Sequence, residues 1–134
     1  MVRKKRTTDI ITKGEDPFGT PFVLALAVVD GPDRHAMHRI IKGETVVGRS
    51  PEADFVLEDP LISDRHVSVR VAGNLFSLVD LGSTNGTLLN SQVVTEGTRV
   101  RLKNFDEIEL GSTRLLFIAN RFRTEPIPSP SYNE

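Results

Sequence analysis

The chain has 134 residues, 38% hydrophobic and 26% charged, with a formal net charge of −1. That suits one ordinary domain with tails, and it excludes a disordered profile and any global field for nucleic acid or an anionic membrane. Cysteine is absent, which excludes disulfides, thiolate metal sites and a Cys nucleophile, and fits a reducing compartment.

Residues 1–20 read as a flexible basic tail, with Arg3, Lys4, Lys5 and Arg6 followed by Thr7 and Thr8. The folded unit is expected over residues 21–119. Its first element is Phe22 to Val29, where the larger Phe22, Leu24 and Leu26 alternate with the smaller Val23, Ala25 and Ala27; a period of two is a strand. This is the longest apolar run. It is too short to span a bilayer and lies too far in for a signal-peptide core, so a cytoplasmic protein is expected. Val67, Val69 and Val71 alternate with Ser68 and Arg70, as in a half-buried antiparallel strand. Gly73-Asn74 then reads as a two-residue hairpin. Ile108 and Leu110 alternate with Glu107 and Glu109, and Leu115 to Ile118 reads as a short buried strand. Many short strands with close turns point to an all-β sandwich or barrel. Residues 120–134, with Pro126, Pro128 and Pro130, read as a tail or linker to further protein.

Three segments carry polar residues in turns beside strands. In Val46-Val47-Gly48-Arg49-Ser50 the glycine permits a close backbone approach, and Arg49 projects from a strand end where a guanidinium can clamp an oxyanion. Alone, this also reads as a surface arginine after a bulge glycine. In Leu61-Ile62-Ser63-Asp64-Arg65-His66 the Ser63 hydroxyl and amide can meet an anion. His66 reads better as a backbone-satisfied histidine than as a base, since on an extended chain it and Ser63 project from opposite faces. In Asp80-Leu81-Gly82-Ser83-Thr84-Asn85-Gly86-Thr87, Asn85-Gly86 is a strong hairpin signal, and the neighbouring hydroxyls offer several donors for an anion.

In this order and spacing, Gly48-Arg49, Ser63-x-x-His66 and Ser83-Thr84-Asn85-Gly86-Thr87 resemble the forkhead-associated (FHA) family, as does the closing pattern from Gly97 to Gly111. The resemblance runs from about Val23 to Ile118. It implies a two-sheet β-sandwich of about eleven strands with the binding loops at one end. It also implies a non-enzymatic module that binds phosphothreonine peptides in signalling and belongs to a larger protein. Carried over residue by residue, Arg49 and Ser63 contact the phosphate, Thr84 faces it and Asn85 holds the peptide main chain. Gly48, His66 and Gly86 support the site, and Asp64, Arg65 and Ser83 are candidate additional contacts. Asp64 departs from the pattern, because a residue able to donate often stands there and a carboxylate cannot. It leaves open a phosphate-independent interaction domain of the same fold.

His35 and His38 share a face only on a helix, which Pro32 argues against, so no metal is expected. No phosphate-binding P-loop or dinucleotide motif is present, so no cofactor is expected either. The expected partner is a phosphothreonine-containing protein or the chain's own tail phosphorylated at Thr8 or Thr7. Neither nucleic acid nor a membrane is expected as a partner, and the chain should be a monomer unless phosphorylated.

Overall fold

The structure, a computed structural model, describes residues 22–121. Among these lie eleven strands and no helix. In chain order they are β1 (Phe22–Asp30), β2 (Met37–Arg39), β3 (Glu44–Gly48), β4 (Phe55–Val56), β5 (Val67–Ala72), β6 (Leu75–Asp80), β7 (Thr87–Leu89), β8 (Gln92–Val93), β9 (Val100–Leu102), β10 (Glu107–Leu110) and β11 (Thr113–Arg121). They form a six-stranded sheet in the order β2-β1-β11-β10-β7-β8 and a five-stranded sheet in the order β9-β6-β5-β3-β4. Described pairings are antiparallel except β3 with β4.

The alternation in the sequence decides which side chains meet between the sheets. Leu24, Leu26 and Val28 of β1 are buried, as are Val67, Val69 and Val71 of β5, and Leu115 and Phe117 of β11. Burying such a side chain fully is worth about 1.5–3 kcal/mol, so this shared layer holds the sheets face to face. Phe76 adds an edge-on ring contact to Phe22 at 5.4 Å and a tilted one to Phe117 at 5.6 Å.

Two sequence expectations change. The strand read as Leu115 to Ile118 runs over nine residues, because β1 offers it a partner along its whole length, from Asp30 opposite Arg114 to Phe22 opposite Arg121. Asn85-Gly86 closes no hairpin, since the strands it joins, β6 and β7, lie in different sheets. The hairpin between β7 and β8 instead turns at Asn90 and Ser91, whose φ values of 51° and 70° suit a type I′ turn. Gly73-Asn74 does close β5 onto β6, with Ala72 opposite Leu75.

The connections after β3, β4 and β6 gather at one end of the sandwich. The Gly111-Ser112 turn is there too, with the Ser112 amide donating to Asp59 at 2.8 Å. From that turn β11 runs nine residues, a span of about 27 Å, to finish beside Phe22. The described chain therefore enters and leaves at the end opposite these loops.

Candidate functional site

The loop end is built around one close contact. A Cβ on Gly48 would sit 1.9 Å from the Asp64 carbonyl oxygen and 2.6 Å from its carbon. Only glycine lets the two segments pass this closely. Their backbones are then stitched: Arg49 N–H donates to Ser63 O at 3.0 Å, His66 N–H to Val47 O at 2.9 Å and Leu57 N–H to Gly48 O at 2.9 Å.

His66 joins two loops. The chain bends at Asp64 and Arg65 rather than running extended, so the ring turns back toward Ser63. The Ser63 amide can only donate, so Nδ1, 3.1 Å away, accepts from it. Nε2 must then carry the proton and donates to the Gly86 carbonyl at 2.8 Å. The ring is fully buried and both its nitrogens are engaged with backbone. A Ser63–His66 nucleophile and base is thereby excluded on different grounds from the face argument above.

Two buried carboxylates, whose roles the sequence did not reveal, hold the loops from beneath. Asp80 Oδ1 accepts from the Gly82 and Ser83 amides, both at 2.8 Å. Its Oδ2 accepts from Ser83 Oγ at 2.7 Å and Thr87 Oγ1 at 2.6 Å. Burial pushes this carboxyl up, but the Thr87 and Ser83 hydroxyls and the two amides together outweigh it and hold the group below its ordinary value. Asp59 does the same between the second loop and the Gly111-Ser112 turn. It accepts from the Leu61 amide at 2.9 Å, the Ser112 hydroxyl at 2.7 Å and the Thr113 hydroxyl at 2.8 Å. Burial again raises it, and these bonds carry it below the usual range. Ser83 is thus occupied on both sides, since its Oγ also accepts from Gly86 N–H at 3.0 Å. It belongs to the loop's own frame. Gly86 takes a φ of 85°, a left-handed conformation that glycine adopts without strain.

On this frame Arg49, Ser63, Thr84 and Asn85 come together with hydrogen-bonding capacity to spare. Arg49 Nε donates to Ile62 O at 3.0 Å, which fixes the guanidinium plane and leaves its terminal nitrogens to face outward. Ser63 Oγ accepts from Thr84 N–H at 3.0 Å, so its own proton is left to donate. Thr84 is exposed and its hydroxyl has no partner among the described residues. Asn85 Nδ2 donates to Leu61 O at 2.9 Å, which turns its amide across the gap between loops. Arg65 is exposed. Asp64 is 75% exposed and lies 4.0 Å from an Arg49 terminal nitrogen, so the carboxylate is paired with Arg49 rather than with its neighbour Arg65.

Beside Asn85 runs a groove of about 430 Å³, lined by Leu61, Leu88, Val93 and Glu109 among others. Leu61 is half exposed there, whereas Ile62 is buried in the core. Of this adjacent pair, only Leu61 can offer a ligand an apolar contact. His38 stacks on Phe55 at 5.1 Å, and among the described residues no three potential metal ligands converge. No helix among them is long and apolar enough to cross a membrane. Thr7 and Thr8 lie outside the described residues.

The sequence matches the family model described as FHA domain over residues 45–111. It is 38% identical over 101 residues to the glycogen accumulation regulator GarA of Mycolicibacterium smegmatis, covering 75% of this chain and 62% of that protein. It is 37% identical over 101 residues to the oxoglutarate dehydrogenase inhibitor of Corynebacterium jeikeium, covering 75% of this chain and 68% of the other. The chain thus spans 62% of the length of the first relative and 60% of its Mycobacterium tuberculosis counterpart. Among solved structures, one described as a phosphothreonine-dependent FHA domain interaction aligns with a TM-score of 0.64 and 30% identity, over 78% of this chain and 99% of that one. An FhaA FHA domain complexed with the intracellular domain of Rv3910 aligns with a TM-score of 0.63 and 32% identity, over 70% and 98%.

Proposed function

Since the chain belongs to the forkhead-associated (FHA) domain family, we propose that its loop end binds a phosphothreonine peptide of a partner protein and that it acts as a non-enzymatic regulator. The observation that carries the reading is the arrangement of donors. Arg49, Ser63 and Thr84 stand on separate loops, each braced by one internal hydrogen bond or amide and each with a donor left over. A phosphothreonine brings roughly −1.5 to −2 charge and three acceptor oxygens, which is the complement of that set. Arg49 supplies charge and a planar fork, and the two hydroxyls supply neutral donors. Asn85 holds the peptide main chain. The groove past Asn85 receives an apolar side chain that follows the phosphothreonine, against Leu61 and Val93, with Glu109 at its wall.

Asp64 sets the threshold for this binding. Its carboxylate, 4.0 Å from Arg49, stands in the charge that a phosphate would use and must swing away or be outcompeted. The same contact favours a second reading, a partner recognised without phosphate while Asp64 stays beside Arg49. A titration separates the two. Wild type should bind a phosphothreonine peptide far more tightly than its unphosphorylated twin, and Arg49→Ala should weaken the phosphopeptide by about 2–5 kcal/mol while leaving the fold intact. Equal binding of the two peptides would establish the second reading and end the first.

A further inference from the structure

The outer face of the five-stranded sheet carries a row of charge unrelated to the loop end. Pairing register places Arg70 of β5 opposite Ser77 of β6, and Ser77 opposite Arg101 of β9. Arg99 donates to Ser77 Oγ at 3.3 Å from the same side. These three arginines surround a surface hollow of about 440 Å³ with Ala72 and Leu75 in its lining. All three are exposed, and Leu75 is 54% exposed. The nearest acid across the sheet is Glu44, opposite Arg70, and its carboxylate accepts from the Ser68 hydroxyl at 2.6 Å. Among the described residues no ion pair involves Arg70, Arg99 or Arg101. Arg70 and Arg101 flank Ser77 from either side of β6, about 10 Å apart, and only Arg70 has an acid opposite it, so the three guanidinium groups offer charge-assisted hydrogen bonds to an anionic counterpart.

We infer that this face docks an acidic segment of a protein partner, its carboxylates on Arg70, Arg99 and Arg101 and one apolar side chain on Leu75. The apolar floor selects a peptide over a nucleic acid, since the ring in its lining, Phe76, is buried against Phe22 and Phe117 and offers bases no open face for stacking. Position also favours a protein. Ser77 is three residues along β6 from Asp80 at the loop end, about 10 Å, so the chain flanking a loop-bound peptide lies within reach of the row.

The test uses the full chain, labelled with ¹⁵N, and a short peptide in which one Leu is flanked on each side by two Glu. At low salt, amide shifts should concentrate on Arg70, Leu75, Ser77 and Arg101 and fade as salt is added. Charge reversal at two exposed positions, Arg70→Glu with Arg101→Glu, should weaken the peptide about tenfold or more. A phosphothreonine peptide should bind that variant at the loops as it binds wild type, which separates failure here from failure of the loop assignment. The milder Arg70→Gln with Arg101→Gln serves if charge reversal disturbs the fold. Shifts confined to the loops, equal binding of a Lys-flanked peptide, or binding of RNA or anionic vesicles without the acidic peptide would each overturn the inference.

Discussion

Gly48→Ala should damage stability and binding together. The new methyl would lie 1.9 Å from the Asp64 carbonyl oxygen, while a tolerable carbon–oxygen contact is about 3.3 Å. The Ser63 to Arg65 segment must therefore withdraw by about 1.4 Å. That breaks or strains the bonds from Arg49 N–H to Ser63 O at 3.0 Å and from Ser50 N–H to Asp64 O at 3.3 Å, each worth about 1 kcal/mol. Overpacking adds about 1–3 kcal/mol, and the sum is about 3–5 kcal/mol. For a domain of this size that is a fall in melting temperature of roughly 15–25 °C. Gly43→Ala is the control, because its Cβ would meet nothing closer than the Val71 carbonyl oxygen at 3.9 Å. Urea unfolding and phosphopeptide titration of both variants check the reasoning. If Gly48→Ala is as stable as Gly43→Ala and binds like wild type, the close approach does not shape the site.

His66→Ala strips the Ser63 amide and the Gly86 carbonyl of their partners and should cost about 2–4 kcal/mol in urea unfolding; a variant of unchanged stability would show that the ring does not join the loops. Asp80 has its folded value depressed below 3.8, so its contribution is complete above that ordinary value and is lost as pH falls through the lower folded one. Asp80→Asn should accordingly be less stable at neutral pH and lose less on acidification, and parallel acid-unfolding curves for the two proteins would contradict this. Phosphorylation at Thr8 should make the chain associate with itself or block external phosphopeptide, with Arg49→Ala reversing both; the fourteen residues from Thr8 to Phe22 span at most about 48 Å. Light scattering over a concentration series, with a competing phosphopeptide, reads both routes. A monomer that binds the competitor at full strength would dismiss them.

The long strands were legible because their alternation is local. β10 buries every second residue as written, β1 and β5 bury their alternating Leu24, Leu26 and Val28 and Val67, Val69 and Val71 with Ala25 and Ser68 buried besides, and Gly73-Asn74 marks its own turn. The short strands β2 and β4 carry no such period over three and two residues, and exist because neighbours offer them hydrogen-bonding edges. Asn90-Ser91 turns a hairpin without the glycine that marks such turns, whereas Asn85-Gly86 nearby carries the glycine and joins strands of different sheets. The residues proposed to face a ligand stand within the motifs that carry the family resemblance, whereas the residues that brace them do not. Asp59 is bonded to Ser112 and Thr113, at sequence separations of 53 and 54, and no local pattern links such positions. The sequence suggests a backbone-bound histidine at His66, yet its two partners depend on a bend at Asp64 and Arg65 that sequence spacing does not encode.

The pairing of Phe22 with Arg121 has a mechanical side. Force applied between these two ends would peel β1 from β11 one rung at a time, so the load never falls on more than a bond or two. Force between a partner gripped at the loops and either end runs along the strands instead, and the whole β1–β11 ladder resists it at once. A domain tethered at one end and loaded through its ligand is held in its strong direction.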